Sequence, residues 1–373
     1  GEYVAQITGG AFPLWNDLPP TSPTYKYYTE TNRAPSSLSV TAPGGATFNG
    51  GVGGLKPLAS LSVTGNATLG SGSNRIVTVG DISITGSLTT GAATVIDSQG
   101  NAANGNTLGV PSSTGNGTIS VGSISSSGKN LTLYTGSATL ALPTLSAAAL
   151  TINSSNATSS AVTQTGAFTV SGTLTFVGNS TGVMTLSNSS NAITGGIGIS
   201  SGTVAITGSS YLGSLSLGSA SSSGSVANDG ILLYSSSINQ TLSGVISGSG
   251  AITKDTSSSS VLTFSNASNT YTGTTTISAG TLSISTDRNL GAVPASTTAN
   301  SITLSGGTLQ STGAASLDAK RGITLTAVSG LAATSTNTLT VAGIVTGGFN
   351  LTINGASQGG TVVLNGANTY TGN

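Results

Sequence analysis

Carboxylates and cations are the side chains of this sequence that could do acid–base chemistry, and there are few of them. The chain has 373 residues with nine acidic and nine basic side chains, no histidine and no cysteine. Glycoside hydrolysis needs two carboxylates held a few ångströms apart. The acids are instead spread along the chain, at Glu2, Asp17, Glu30, Asp81, Asp97, Asp229, Asp255, Asp287 and Asp318. This scatter disfavours a hydrolase site built from neighbouring residues.

Three short groups place acids beside cations: Lys254-Asp255, Asp287-Arg288 and Asp318-Lys320-Arg321. Polysaccharide lyases need such residues together, but we interpret each group as a solvated ion pair at a corner, worth under ~1 kcal/mol. The carboxylate clusters that bind calcium are missing, as are cysteine and histidine ligands for zinc. We therefore expect no enzymatic activity, no catalytic residues, no metal and no cofactor. A net charge of zero also argues against a nucleic-acid partner.

The stretch Val261–Ser285 indicates which elements would position any site. Apolar residues alternate with small polar ones in Val261–Phe264, around Thr274–Ile277 and in Leu282–Ile284, and the corners between them hold Asn, Ser and Gly. Alternation with a period of two is typical of a strand with one buried face. Three such strands with tight corners make a flattened coil, which must stack on further coils to bury its apolar face.

Copies of this pattern recur along the chain. Asn269-Thr270-Tyr271-Thr272-Gly273 returns 99 residues later as Asn368-Thr369-Tyr370-Thr371-Gly372. A looser unit, apolar–Ser/Thr–apolar–polar–Gly, recurs from Leu61 onward with steps near 20 residues, for example 21 from Val63 to Ile84. Gly, Ser, Thr and Asn all weaken helices. The sequence therefore predicts an all-β chain, a parallel β-solenoid (β-helix) with essentially no helix. Consecutive threonines such as Thr274–Thr276 are similar to those of ice-binding solenoids, but threonine does not recur at a strict period, so ice binding is not expected.

These motifs resemble the autotransporter-associated β-strand repeat, found in passenger regions of bacterial surface and secreted proteins. The resemblance covers residues 239–373 and rests on the Asn-Thr-Tyr-Thr-Gly corner and the Ala-Gly-Thr-Leu at Ala279–Leu282. It implies a right-handed parallel β-solenoid, secretion and a surface location, and it implies no particular activity. The residues that carry the repeat motif, for which we expect structural roles, are Asn269, Tyr271, Gly273, Gly280, Asn368 and Gly372.

The first segment, residues 1–57, differs from the rest, because it holds seven of the ten prolines and the only Trp. Proline cannot donate to a sheet ladder, so we expect this segment to be extended. It is interpreted either as a cap on the first coil or as an arm that contacts a neighbouring molecule. Residues 58–238 then form an irregular solenoid, and residues 239–373 form the solenoid of autotransporter-type repeats. The residues proposed for assembly are Trp15, Tyr25, Tyr27, Tyr28 and Tyr370.

Charged residues make up only 5% of the chain, against about 25% in ordinary globular domains. A dispersed protein normally relies on surface charge to stay soluble, so this surface suits self-association, a matrix or a coat of sugar. The last coil also lacks the counterpart of Thr274–Ser285, and an open strand edge can template another chain. The first hypothesis is thus a non-enzymatic extracellular structural protein that assembles with itself into a filament, fibre or surface layer through end and side contacts, with β-strand addition as one mode of contact.

The alternative is an autotransporter passenger adhesin that binds host or environmental glycans or proteins. Both hypotheses place the protein outside the cell or on the bacterial surface. Glycans are possible partners in either case, as ligands or as covalent decoration. No apolar run reaches the ~18 residues of a membrane-spanning helix, so no membrane span is expected in this chain. The candidate Asn-x-Ser/Thr sites are Asn66, Asn116, Asn130, Asn153, Asn156, Asn179, Asn188, Asn239, Asn266 and Asn350.

Overall fold

A computed structural model describes residues 37–53, 57–72, 75–100, 116–126, 128–210, 221–222, 224–355 and 358–372. The chain divides into two compact units, Gly1–Ser171 and Gly172–Asn373. Each unit is built from short strands joined by tight corners, and each is described by itself.

Unit 1 contains fourteen strands among its described residues, and neighbouring strands pair in parallel. One sheet has the order β1-β3-β6-β8-β11-β14, with β2 and β4 extending it beside β6, a second has the order β5-β7-β9-β12, and β10 pairs with β13. The strands are β1 (Leu38–Thr41), β2 (Ala46–Phe48), β3 (Leu61–Thr64), β4 (Ala67–Leu69), β5 (Arg75–Val77), β6 (Ile82–Thr90), β7 (Thr94–Asp97), β8 (Ile119–Ser126), β9 (Leu131–Thr135), β10 (Leu140–Leu142), β11 (Leu145–Ala147), β12 (Leu150–Ser154), β13 (Val162–Gln164) and β14 (Phe168–Val170).

Unit 2 repeats this architecture with β15 to β37. The strands are β15 (Leu174–Val177), β16 (Val183–Leu186), β17 (Ala192–Ile193), β18 (Gly196–Ser201), β19 (Thr203–Gly208), β20 (Ser221–Ser222), β21 (Ser225–Asn228), β22 (Ile231–Ser236), β23 (Gln240–Leu242), β24 (Ile246–Ser247), β25 (Ala251–Lys254), β26 (Val261–Phe264), β27 (Thr275–Ile277), β28 (Thr281–Ile284), β29 (Thr298–Leu304), β30 (Thr308–Ser311), β31 (Ala315–Leu317), β32 (Arg321–Leu325), β33 (Ser329–Ala333), β34 (Thr338–Val341), β35 (Val345–Gly347), β36 (Leu351–Ile353) and β37 (Thr361–Leu364). Its parallel sheets run in the orders β16-β19-β22-β25-β27-β29-β32-β35, β20-β23-β26-β28-β30-β33-β36, β15-β18-β21-β24 and β31-β34-β37.

The predicted β-solenoid is confirmed. Every third strand or so returns to the same sheet, and the partners along a sheet stack in register: Leu38 on Leu61, and Leu61 on Ile82. Inward residues of β3 are buried and outward ones exposed, as Leu61 and Ser62 illustrate. Apolar side chains thus form columns inside the coils. The coils are spaced ~4.8 Å apart, and their backbone N–H and C=O groups form hydrogen bonds from one coil to the next.

The three strands predicted in the repeat are β26, β27 and β28, and their inward residues Leu262, Phe264, Ile277, Leu282 and Ile284 are all buried. The expected scarcity of helix is also confirmed within the described ranges. The helical element there is a short 3-10 helix, η1 (Asp287–Leu290), in the corner between β28 and β29. Strand pairing already begins at Leu38, inside the segment 1–57 that the sequence set apart.

Candidate functional site

The Asn of the repeat corner joins three successive coils. Asn269 is buried, and its Oδ1 accepts a hydrogen bond from the backbone N–H of Ile246, one coil before, at 2.9 Å. Its Nδ2 donates to the carbonyl of Asn289, one coil after, at 2.8 Å. In the second copy, Oδ1 of Asn368 accepts from the backbone N–H of Val345 at 2.8 Å. The two copies of the motif therefore share the hydrogen bond that the Asn accepts from the coil before it.

The Tyr of the corner is a core residue. Tyr271 is 1% exposed, and its hydroxyl lies 2.9 Å from Oγ1 of Thr275. Its ring meets that of Phe264 edge to face, with the centroids 6.4 Å apart. Burial raises the pKa of Tyr271 to about 12. Tyr370, its counterpart in the second copy, is half-buried.

The glycines of the motif allow coils to approach closely. A Cβ on Gly273 would overlap the carbonyl of Gly250, and one on Gly372 would overlap the carbonyl of Phe349. Gly280 has φ +68°, a conformation that side chains disfavour, and it faces the carbonyls of two residues of the coil before it. At all three positions a Cβ would crowd the backbone of the preceding coil.

A third copy of the corner, which the sequence motif did not predict, lies at Asn191–Gly195. Asn191-Ala192-Ile193-Thr194-Gly195 follows β16 at the same distance as Asn269–Gly273 follows β26. Each corner is preceded by a second Asn whose side-chain oxygen accepts a hydrogen bond from a nearby backbone N–H. The N–H of Ser190 donates to Oδ1 of Asn188, and the N–H of Ser268 donates to Oδ1 of Asn266, each at 2.8 Å. The sequence signal was present in the shared Asn-x-x-Thr-Gly, but Ile193 stands where the other copies have Tyr.

A buried ion pair lies beside the repeat corner Asn269–Gly273. Nε of Arg321 donates to Oδ1 of Asp287 at 2.8 Å, and the two side chains are only 3% and 14% exposed. The same guanidinium donates to the carbonyls of Leu290 and Gly291, at 3.0 and 2.9 Å. The interpretation of Asp287-Arg288 and Asp318-Lys320-Arg321 as two solvated corner pairs was wrong for Asp287 and Arg321. Stacking pairs them across coils, which adjacency in sequence cannot reveal.

Lys254 also departs from the expected solvated pair with Asp255. It is 1% exposed, stacks in the inward column between Tyr234 and Ile277, and its Nζ lies 5.8 Å from the centre of the Tyr234 ring. The Nζ donates to the carbonyl of Thr256 and, at 3.3 Å, to that of Ala279. Burial lowers the pKa of Lys254, and the nearby charge of Asp255 partly opposes this shift.

Two exposed carboxylates at the corners accept hydrogen bonds from the next coil. Oδ1 of Asp81 accepts from the backbone N–H and the hydroxyl of Thr118, at 2.7 and 2.8 Å. Oδ1 of Asp229 accepts from the same two groups of Ser249, at 2.9 and 3.0 Å. These hydrogen bonds, the backbone one first, lower the pKa of both carboxyls. Within the described ranges no three His, Cys, Asp or Glu side chains come together to hold a metal.

At several candidate glycosylation sites the Asn side-chain oxygen accepts a hydrogen bond from the next coil. Oδ1 of Asn66 accepts from the backbone N–H of Ser87 at 2.9 Å, and Oδ1 of Asn239 accepts from that of Val261 at 2.8 Å. Oδ1 of Asn116 accepts from the hydroxyl of Ser137, also at 2.8 Å. These Asn residues therefore contribute to the stacking of coils.

Unit 1 carries rows of hydroxyl groups on the outer side of its first sheet, which we term the hydroxyl face. Residues of successive coils stack in register there, at ~4.8 Å spacing, and all are exposed or half-buried. One column consists of Thr47, Thr68, Thr89, Ser125, Ser146 and Thr169. A second consists of Ser39, Ser62, Ser83 and Ser120. No member of either column is charged.

A concave site in unit 2 is lined by the repeat corner at Tyr271–Thr274 and by the long corner that contains η1. This cleft has a volume of about 390 Å³. Its lining residues are Tyr271, Thr272, Gly273, Thr274, Leu290, Ala292, Val293, Pro294, Ala295, Thr298, Ser301 and Arg321. We term it the corner cleft.

Of the residues proposed for assembly, Trp15, Tyr25, Tyr27 and Tyr28 lie outside the described residues. Tyr370 lies in the last repeat corner of unit 2, beside Thr369 and Thr371, whose N–H groups bond to the coil before. Among the helices of the described residues, none is both long and apolar enough to cross a bilayer.

Comparison with known proteins identifies the repeat. The sequence model of the passenger-associated-transport-repeat matches residues 179–206, 258–284 and 356–373, which contain the three corners described above. The adhesin BmaC autotransporter of Brucella suis biovar 1 (strain 1330) is 32% identical over 309 residues. The match covers 72% of this chain but only 8% of that much longer protein. No solved structure matches the chain. These findings point to the cell surface or the extracellular space, and the chain carries repeats of the passenger-associated-transport-repeat family of autotransporter passengers.

Proposed function

We propose that the chain is a non-enzymatic part of a surface-displayed adhesin and that it binds host or environmental glycans or proteins. The observation that carries this proposal is the similarity to an autotransporter adhesin over 309 residues. Because the chain spans 8% of that relative, the whole protein's partners do not transfer to it directly. The geometry supports a binding role, since a solenoid presents long regular faces and a preformed cleft on a rigid scaffold.

The polar side chains of the described residues support the non-enzymatic part of the proposal. Asp81 and Asp229 bond to the coil after them, and Asp287 is neutralised by Arg321. Acid–base catalysis needs a titratable group within reach of a substrate and of a second group. These carboxylates are instead engaged in holding coils together.

An attachment assay tests the adhesin proposal. Latex beads coated with the purified chain are applied to epithelial cells and to surfaces coated with extracellular matrix, and bound beads are counted. We expect saturable binding that an excess of the soluble chain inhibits, while beads coated with the heat-denatured chain do not bind. Equal binding of native and denatured coatings, or none at all, would refute the proposal.

A second candidate is the self-assembly into filaments or layers expected from the sequence. The observation that favours it is the low surface charge: residues 130–228 contain no Asp, Glu, Lys or Arg. With so little repulsion between copies, lateral contacts are tolerated. Sedimentation over a wide concentration range, with electron microscopy of the same samples, decides this. Filaments or concentration-dependent oligomers support assembly, whereas a monodisperse monomer throughout excludes it.

A further inference from the structure

The corner cleft has the size and the preformed walls of a small-ligand site. Its volume of about 390 Å³ falls within the ~300–1,000 Å³ usual for ligand pockets. One wall is the repeat corner at Thr272–Thr274, which the stacked coils below hold in place. A second wall is the stretch Ala292–Ala295 of the long corner between β28 and β29.

Hydrogen bonds fix the second wall in position although its tip is exposed. Oδ1 of Asn289 accepts from the backbone N–H groups of Ser285 and Thr286, at 2.8 and 2.9 Å. The guanidinium of Arg321 donates hydrogen bonds to the carbonyls of Leu290 and Gly291, at the end of η1. The N–H of Ala292 donates to the carbonyl of Tyr271 at 3.0 Å. Both walls are therefore ordered before any ligand arrives, which reduces the entropic cost of binding.

The lining combines hydroxyl groups with an exposed apolar strip. Thr272, Thr274, Thr298 and Ser301 supply side-chain hydroxyls that can donate and accept. The same lining includes Val293, which is 41% exposed and adjoins Pro294 and Ala295, so that apolar surface faces the solvent. An exposed apolar strip beside convergent polar groups is characteristic of a ligand site.

The charge of the cleft is balanced. Its cation is Arg321, and the carboxylate of Asp287 lies 2.8 Å from Nε of that side chain. The guanidinium also donates to two backbone carbonyls, so most of its donors are engaged. An anion would have to compete with Asp287, whereas a neutral ligand would not.

We propose that the corner cleft binds one ring of a neutral sugar, with the ring hydroxyls on the threonines and an apolar ring face on Val293–Ala295. The proposal gives a ligand class to the adhesin function proposed above and rests on that function for its biological setting. Sugar rings carry many hydroxyls and one less polar face, which matches this lining, and the cleft volume admits one or two rings.

Saturation-transfer NMR of the purified chain tests the proposal with galactose, mannose and N-acetylglucosamine as neutral probes and N-acetylneuraminic acid as the charged probe. Ala295→Trp should block the cleft, and Ser296→Trp, at an exposed neighbour outside the lining, is its control. Thr274→Val should remove one cleft hydroxyl, with Thr276→Val as its control on β27. We expect at least one neutral probe to bind, with an affinity at least tenfold weaker in Ala295→Trp and several-fold weaker in Thr274→Val, and unchanged in both controls.

Three results would overturn the proposal: no transfer to any neutral probe, equal binding by Ala295→Trp and the unaltered chain, or preference for the charged sugar. Circular dichroism of every variant shows whether the fold is retained, and Thr274→Val, a nearly isosteric change, keeps the test valid if Ala295→Trp misfolds. The attachment assay separates the two proposals. Attachment by Ala295→Trp beads at the full level contradicts the cleft assignment alone, and sugar binding without cell attachment contradicts the adhesin function alone.

Discussion

The backbone N–H of Ile246 donates to Oδ1 of Asn269, which lies one coil further along and 23 residues later in the sequence, at 2.9 Å. The same side chain donates onward to the carbonyl of Asn289. One buried amide thus satisfies backbone groups on two coils that strand pairing leaves unpaired. An Asn suits position 269 because a carboxylate could accept but not donate, and a hydroxyl is too short to bridge both groups.

Replacing Asn269 with Ala should destabilise the coils on either side of it. The N–H of Ile246 and the carbonyl of Asn289 would lose a partner in a buried environment, which costs roughly 1–3 kcal/mol. Hydrogen exchange measured by mass spectrometry should show faster exchange in the peptides that contain Ile246 and Asn289. Asn300→Ala is the control, since Asn300 is exposed on β29. Exchange at the same rate in both variants would contradict the role assigned to Asn269.

Replacing Asp287 with Asn should destabilise unit 2 by about 3 kcal/mol, because the buried guanidinium of Arg321 loses its counter-charge. Urea unfolding followed by circular dichroism measures this. Arg288→Gln, which also removes one charge from η1 but at an exposed position, should change the stability by no more than ~0.5 kcal/mol. Similar losses in the two variants would show that the Asp287–Arg321 pair is no more important than an ordinary surface charge.

The corner carboxylates should make the protein sensitive to acid. The pKa values of Asp81 and Asp229 are lowered in the folded state, so their contribution to stability is present above the ordinary pKa of 3.8 and is lost as the pH falls below it. Asp229→Asn keeps a side-chain oxygen for Ser249 but removes the titration. Its stability, measured by urea unfolding between pH 2 and 6, should fall less steeply with decreasing pH than that of the unaltered chain. Parallel curves would exclude the contribution of Asp229.

Alkaline pH should destabilise the fold through ionisation of Tyr271. Its pKa is raised to about 12 by burial, so the stability that it contributes is complete below pH ~10, the value for an unperturbed Tyr, and is lost as the pH rises toward 12. Tyr271→Phe loses the hydrogen bond with Thr275 and should be less stable at neutral pH by about 1 kcal/mol. The difference from the unaltered chain should shrink between pH 10 and 12, as thermal unfolding at a series of pH values will show. A difference that stays constant over this range would argue against the assigned pKa.

The fold could be predicted from sequence because the alternation of buried and exposed residues is local. The run Val261–Phe264 and the glycine corner at Gly280 already define strand and turn, and the recurrence of the motif at Asn368 shows that coils must stack. Register, however, depends on loop lengths. Thr47, Thr68 and Thr89 follow one another at 21 residues, but the next rung of the hydroxyl face, Ser125, comes 36 residues after Thr89. The longer connection hides this column from any search for a fixed period.

The candidate site was less predictable, since its chemistry depends on contacts between coils. Asp287 and Arg321 are 34 residues apart in the sequence and 2.8 Å apart in the fold. The sequence places Lys254 beside Asp255, yet its side chain lies in the inward column next to Tyr234. The corner cleft exists because the connection between β28 and β29 is long and folds back on Tyr271, and no residue type in that connection signals a cleft by itself.

The hydroxyl face of unit 1 has a consequence for how it would interact with its surroundings. Added salt weakens contacts between exposed charges, because mobile ions screen them over about 10 Å at 0.1 M. The hydroxyls of Thr47, Thr68 and Thr89 and of the rungs after them offer no charge for such ions to screen. Adhesion through this face would therefore have nearly the same strength in fresh water, in serum and in brine.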